Sequence, residues 1–293
     1  MEENMHRYIA LQKIVELGSF AKAAYALGYT QSALSQTISS LEKDLGFKVL
    51  KRSRTGSSLT SEGEEIYPYI KRTIFQYQSS VEKAKDICGL DTGIIRIGTM
   101  SSISVHWLPT LIKEFHKMHP NVEFITHQGD YSVMNEWVKT GAVNFGFVSP
   151  DAISGVEMIP LKKGALVAIL PKGHPLAEYD VIPLKKLMEE QFILLETGYY
   201  SECLTAFKKH GIKPDIKYIA HDDYSIMAMV EQGMGVSILA ELVLHRTNFN
   251  IEVRPLDPPL SRTLALGYRS KLELPVAARK FMEYIAEHKD ELP

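Results

Sequence analysis

Between Thr30 and Leu41 the chain presents Gln31, Ser32, Ser35, Gln36 and Ser39, with no lysine or glutamate among them. Amides and hydroxyls suit one kind of chemistry: glutamine pairs bidentately with adenine N6 and N7, and serine serves several base edges. An ordinary solvated helix face would favour Glu and Lys for their helix propensity, so these side chains, with Thr30 opening the segment, are read as contacting nucleobases. Lys51, Arg52 and Arg54 follow closely. Long cations of that kind reach phosphate oxygens and position a protein on a duplex without specifying sequence.

A second group of polar residues falls where short apolar runs end: Thr99, Met100, Ser101 and Ser102; Gln128; Ser149; Glu196 and Thr197; His221 and Asp222. Singly, each fits a helix cap or a turn. Their common placement points to ligand contacts. Ser101, Ser102 and Ser104 precede a helical pattern, where hydroxyls and open backbone amides suit a carboxylate, so a small organic acid is the expected ligand.

Catalytic and metal chemistry find no support. Gly233-Met234-Gly235 lacks the third glycine of a dinucleotide fingerprint, no G-x-S-x-G or phosphate loop occurs, and His116 and His119 read as solvated or packed helix residues. No enzyme, cofactor or metal is expected. Cys88 and Cys203 are the two cysteines, far apart and in no zinc or redox spacing, which suits a reducing compartment. A redox role for Cys203 stays open as an alternative. A solute-binding protein without a nucleic-acid role is another, but it would need an export signal, and MEENMHRYIALQ does not resemble one. No apolar run approaches the ~20 residues of a bilayer span, so a cytoplasmic location and no membrane partner are expected.

The elements that must position these residues are legible in the apolar spacing. Tyr8, Leu11 and Val15 mark one face of a helix stopped at Gly18; Ser19 caps a second, with Phe20, Ala24 and Leu27 inward, ending at Gly28. Thr30 caps a third, whose Leu34, Ile38, Leu41 and Leu45 face inward and whose end is Gly46. Lys48 to Arg52, a turn from Ser53 to Gly56, and Ser57 to Thr60 read as a basic hairpin. Ser61 and Glu64 predict a capping box on a helix from Glu62 to Cys88, roughly 40 Å long. Its near-heptad seam, Ile66, Ile70, Ile74, Tyr77, Val81, Ala84 and Cys88, calls for a second copy, and Pro68 should bend its start or shift it. From Gly93 onward strands alternate with helices in βαβ order, so an open parallel sheet is expected, with ligands outside the carboxyl ends of its strands.

Charge supports this division. The chain's net charge is −2, yet residues 1–60 hold eight Lys/Arg against five Asp/Glu, five of those bases between Lys43 and Arg54, and the remainder holds 25 against 30. The basic excess belongs entirely to the N-terminal end.

The stretch from Tyr8 to Gly63, with GSFAKAAYALGYTQSALSQTISSLEKDLGFKVLKR and LTSEG, resembles the DNA-binding domain of the LysR-type transcriptional regulators. Gly173-His174-Pro175-Leu176-Ala177 and VEQGMGVSIL from Val230 resemble landmarks of its C-terminal half, with Ala240 where a proline is frequent. The resemblance implies an α/β protein overall: an all-α winged helix-turn-helix at 1–60, a dimerising linker helix at 61–90, and a two-lobed effector domain of the periplasmic-binding-protein type at 91–293. Lobe I would comprise 91–161 and 268–293 and lobe II 162–267, with chain crossings near Leu161 to Ala165 and Leu266 to Tyr268 and a small-molecule inducer between the lobes. A homodimer or homotetramer on a pseudo-palindromic operator, in contact with RNA polymerase, is the implied assembly. Gln36 and Ser39 stand where the family commonly has arginine, which predicts weaker nonspecific affinity and a shallower salt dependence.

Overall fold

A computed structural model describes residues 2–53, 56–87 and 93–293, and the chain divides into two units, Met1–Ala84 and Lys85–Pro293. The first unit contains α1 (Glu2–Leu17), α2 (Phe20–Leu27), α3 (Gln31–Leu45), β1 (Leu50–Ser53), β2 (Gly56–Leu59) and α4 (Ser61–Ile87). Local chemistry sets the helix ends as expected. Ser19 accepts from the Lys22 amide, Thr30 accepts from the Ala33 amide at 3.2 Å, and α2 and α3 end at Gly28 and Gly46 in left-handed conformation. The core joins Ala10, Leu11 and Ile14 of α1, Phe20, Ala23 and Ala24 of α2, and Leu34, Ile38 and Leu41 of α3. The buried face of α1 is therefore rotated from the expected one, with Tyr8 and Val15 only half-buried at its margin.

Two expectations for α4 change. Its cap is Thr60, whose Oγ1 accepts from the Gly63 amide at 2.9 Å, while Ser61 lies inside the helix and donates to Glu62, so the Ser61–Glu64 box does not form. Gly63 is required there by contact: a Cβ would stand 2.3 Å from the Val49 carbonyl oxygen. Pro68 does not delay the start, because α4 runs through it from Ser61. The seam divides. Ile70 and Ile74 are buried in the first unit's core, whereas Tyr77, Val81 and Ala84 are exposed and Cys88 lies outside the described residues.

The second unit runs β3 (Gly93–Thr99), α5 (Ser101–His106), α6 (Leu108–Met118), β4 (Val122–Gln128), α7 (Tyr131–Thr140), β5 (Phe145–Val148) and β6 (Glu157–Pro171). It continues with β7 (Ile182–Pro183), α8 (Leu184–Leu187), β8 (Gln191–Leu195), α9 (Glu202–Lys209), β9 (Asp215–Ala220), α10 (Asp223–Glu231), β10 (Ser237–Ala240), β11 (Ile251–Arg254), β12 (Leu256–Asp257), β13 (Leu260–Tyr268) and α11 (Val276–Glu287). The main sheet has the order β10-β6-β13-β5-β3-β4, with β11 also on β6. It is mixed, not parallel throughout: β3 pairs parallel with β4 and β5, but β13 pairs antiparallel with β5 and β6.

The reason is that β6 and β13 are long strands shared by two cores. Leu161 of β6 packs with Ile95, Ile97, Trp107, Phe147 and Phe281, while Leu166, Ala168 and Leu170 of the same strand pack with Phe192, Phe207 and Ile238. Ile169 faces the other way, onto Ile226, Met227 and Val230 of α10, so both faces of the second half of β6 are covered and residues 165–171 read as an unbroken apolar run. The return crossing is earlier than expected. Leu264, Leu266 and Tyr268 already belong to the first core and Leu260 to the second, which places the passage around Arg262 instead of Leu266 to Tyr268.

Candidate functional site

In the first unit, the amide-and-hydroxyl face of α3 is solvent-facing: Thr30, Gln31, Ser32, Gln36 and Ser39 are exposed, and Ser35 is half-buried. The opposite face is anchored by Leu34, Ile38 and Leu41, so the exposed side chains stand on a rigid element. Lys51 on β1 is exposed; Arg52 pairs by backbone with Ser57, its side chain lies outside the described residues, and so does all of Arg54. Sequence reasoning missed the residue that joins α3 to the hairpin. Glu42 is buried, and its Oε1 accepts from the amides of Val49 at 3.1 Å and Leu50 at 3.3 Å, while Oε2 meets the Lys48 ammonium at 2.6 Å. Lys48 is therefore committed to a carboxylate.

In the second unit, a cavity of about 320 Å³ opens between the two cores. Of the expected ligand contacts, Met100, Ser101, Ser102, Gln128, Glu196, Thr197 and His221 line it. Thr99, Ser149 and Asp222 do not. Thr99 and Ser149 are buried beneath it, and Asp222 caps α10 by accepting from the Tyr224 and Ser225 amides at 3.3 and 2.8 Å. The acid presented to the cavity is its neighbour, Asp223.

The site also gathers residues that no spacing rule connects: Asp130 and Tyr131 at the start of α7, Ser201, Glu202 and Cys203 at the start of α9, and Arg262 in the crossing strand. Asp130 had a local signal, as the N-cap that accepts from the Ser132 and Val133 amides at 2.7 and 3.0 Å. Arg262 had none. Its guanidinium donates to the Ser102 hydroxyl at 2.7 Å.

Contacts cross the cavity. Ser101 donates its hydroxyl proton to Asp223, the Tyr131 hydroxyl donates to Glu202 at 2.5 Å, and the Tyr131 amide donates to the Thr197 carbonyl at 3.2 Å. Gly198, with φ +83°, lets the following turn press on α7, where a Cβ would stand 2.2 Å from the Ser132 hydroxyl oxygen. Burial, reinforced by the Glu202 charge, pushes the Tyr131 phenol well above its ordinary range, so it stays a donor. Burial also raises the Asp223 carboxyl, against the opposing pull of the Ser101 hydrogen bond and the Arg262 charge. The hydroxyls assigned to an incoming anion thus already hold partners, one of them a carboxylate.

Cys203 packs against the second core, and burial followed by the Glu202 charge pushes its thiol up to about 12. Peroxide chemistry needs the thiolate, which this setting suppresses. Among the described residues no group of three His, Cys, Asp or Glu side chains converges as metal ligands, and no helix is long and apolar enough to cross a membrane.

Comparison with known proteins separates the same two parts. Residues 5–64 match the model of the bacterial regulatory helix-turn-helix proteins of the lysR family, and residues 89–290 match that of the LysR substrate binding domain. The chain is 32% identical over 282 residues to the HTH-type transcriptional regulator YvbU of Bacillus subtilis (strain 168), covering 94% of this chain and 95% of that one. Among solved structures, full-length CbnR complexed with its target DNA matches with a TM-score of 0.67 at 19% identity, over 99% of this chain and 100% of that one. The effector binding domain of QuiR in complex with shikimate matches with a TM-score of 0.62 at 23% identity, over 68% of this chain and 98% of that one.

Proposed function

This chain belongs to the LysR family of transcriptional regulators and carries its effector-binding domain, and on that premise we propose that it reads a specific DNA sequence with α3 under the control of a small molecule held in the interlobe cavity. The observation that carries the DNA half is the exposed row Gln31, Ser32, Gln36 and Ser39 on a helix whose other face is locked in a core. Gln31 and Ser32, in the first turn of α3, take the base edges. Thr30 and Ser35 support them, and Lys51, Arg52 and Arg54 on the hairpin take phosphates.

Two copies, joined along the exposed part of the α4 seam at Tyr77, Val81 and Ala84, place two α3 helices on a pseudo-palindromic operator. The assembly is a dimer or a pair of dimers. Binding of the inducer changes the spacing of the reading helices and the bend of the DNA, and through these the contact with RNA polymerase. CbnR has been solved with its target DNA and the QuiR effector domain with shikimate, which supports reading the α3 face and the interlobe cavity as the two binding surfaces here.

A redox-sensing reading through Cys203 is disfavoured by its suppressed thiolate, and a solute-binding role without DNA by the N-terminal helix-turn-helix. Binding-site selection with the full chain on random duplexes at moderate ionic strength tests the reading. An enriched two-fold-related motif is the expected result, and an unenriched pool refutes sequence-specific recognition.

A further inference from the structure

The interlobe cavity carries an excess of acid over base, and its charged groups meet hydroxyls instead of one another. Arg262 reaches it from β13, and its contacts are the Ser102 hydroxyl at 2.7 Å and the Met100 sulfur at 3.9 Å. On the cavity's second-core side, Glu202 and Asp223 each accept from a hydroxyl, of Tyr131 and Ser101 respectively. Among the described residues no ion pair within 4 Å joins Arg262 to Glu202 or Asp223, although the Arg262 charge already pulls on the Asp223 carboxyl. The other acids on the wall are placed differently: Glu196 is exposed, 3.4 Å from the His221 ring, and Asp130 is held by the first amides of α7. One guanidinium and two carboxylates, in electrostatic reach but in no direct ion pair, therefore surround a space of about 320 Å³ with one negative charge in excess.

Partly desolvated charges without counter-charges cost free energy that a complementary ligand recovers. A plain carboxylate answers Arg262 but adds a third negative charge beside Glu202 and Asp223, and a plain amine makes the opposite error at Arg262. A molecule carrying both groups answers both walls. Resting on the reading of this cavity as the effector site, we propose that it takes a small zwitterionic α-amino acid, its carboxylate on Arg262 and its ammonium shared by Asp223 and Glu202. Leu166, Leu195 and Ile238 form the apolar wall for a compact side chain, and the volume lies at the small end of ligand sites. The hydroxyl-rich start of α5 then serves as a brace, with Ser102 orienting Arg262 and Ser101 orienting Asp223.

The test is isothermal titration calorimetry on the full chain with the twenty common L-amino acids, each beside the acid lacking its amino group and the amine lacking its carboxylate. At least one amino acid binds saturably, and both truncated counterparts bind about tenfold more weakly or worse. Glu202→Gln and Arg262→Gln each weaken that amino acid by about tenfold or more, while Glu202→Gln leaves the deaminated acid unchanged or tighter. No saturable binding by any amino acid overturns the proposal, as does a deaminated acid that binds as tightly as its parent. Ala240→Trp, which fills the cavity, separates this proposal from the reading beneath it. A plain acid that binds the parent chain and is lost in Ala240→Trp keeps the cavity as effector site and removes the zwitterion; an amino acid that still binds Ala240→Trp removes the cavity itself. Melting temperature and circular dichroism report whether Ala240→Trp folds, and Glu202→Gln, at a half-buried wall position, carries the comparison if it does not.

Discussion

Replacing Glu42 with alanine should loosen the hairpin from α3, and the structure sets the size of the effect. Oε1 accepts from two buried amides, Val49 and Leu50, and Oε2 meets an ammonium whose side chain is 73% exposed. Hydrogen bonds to a charged group contribute about 1.5–3 kcal/mol each, and orphaned buried donors are costly. Two such bonds therefore give about 3–6 kcal/mol of local destabilisation for Glu42→Ala. Glu42→Gln keeps a neutral acceptor for both amides and should cost about half as much, roughly 1.5–3 kcal/mol. The ion pair joins a solvent-facing ammonium to a buried carboxylate, so Lys48→Met should cost about 1 kcal/mol, less than losing the carboxylate itself. Hydrogen exchange of the Val49 and Leu50 amides in the full chain, alongside urea unfolding, measures the series. A Glu42→Ala chain whose two amides exchange as slowly as the parent's, or that loses no more stability than Lys48→Met, refutes the reasoning.

On DNA, Gln31→Ala should cost about 1–3 kcal/mol at one base position and relax selectivity there, measured by competition between matched and mismatched duplexes; equal losses on specific and random duplexes contradict its role. Lys51→Ala should instead weaken all sequences alike and reduce the logarithmic salt slope by about one. Gly63→Ala should lower the Tm, at about 1–3 kcal/mol, because the added methyl meets the Val49 carbonyl. For Asp223, burial raises the folded-state carboxyl above its ordinary 3.8. The folded chain then holds the proton more tightly than the unfolded one, so the cost of ionising it is absent below the ordinary value and grows as pH rises toward the folded one. Asp223→Asn should accordingly raise the ligand-free Tm at neutral pH relative to acid pH, and an unchanged difference between the two pH values counts against the burial argument. With its thiol near 12, Cys203 exposes about one thiolate in 10⁵ at pH 7, so mass analysis after brief mild peroxide should find it unmodified.

How much of this the sequence disclosed depends on the distance over which each feature is encoded. The boundaries of α2 and α3 follow from Ser19, Gly28, Thr30 and Gly46, each acting within one turn, and the structure keeps them. The face of α1 was misjudged because Tyr8, Leu11 and Val15 and the chosen set Ala10, Leu11 and Ile14 are both helical rows; only packing against Phe20 and Leu34 selects between them. The loops around the cavity were also legible, since strand ends must turn where β3, β4 and β8 stop. Which polar residue in a loop faces inward was not. Asp222 and Asp223 differ by one position, and the N-cap geometry of α10 turns the first to the backbone and the second to Ser101.

Arg262 marks the limit of local reading and explains the wider arrangement. It lies inside an apolar strand, flanked by no motif, and gains its meaning because β13 passes between two cores at that point. A strand that serves two cores can carry a charge only where neither encloses it, and in this fold that place is the cavity wall. The described hydrogen bonds that join the two sides include Ser101 to Asp223, Tyr131 to Glu202, the Tyr131 amide to Thr197, the Tyr199 amide to Ser132 and the Tyr199 hydroxyl to the Ala152 carbonyl. The two that end on carboxylates are worth about 1.5–3 kcal/mol each and the neutral ones about 0.5–1.5, so together they bias the lobes toward contact by several kcal/mol. A ligand can shift such an equilibrium only by its difference in affinity between the two arrangements. A zwitterion bound to Arg262 on one side and to Asp223 and Glu202 on the other engages the same acids that already bridge the lobes. The proposed ligand would therefore act on the contacts that already hold the two sides together.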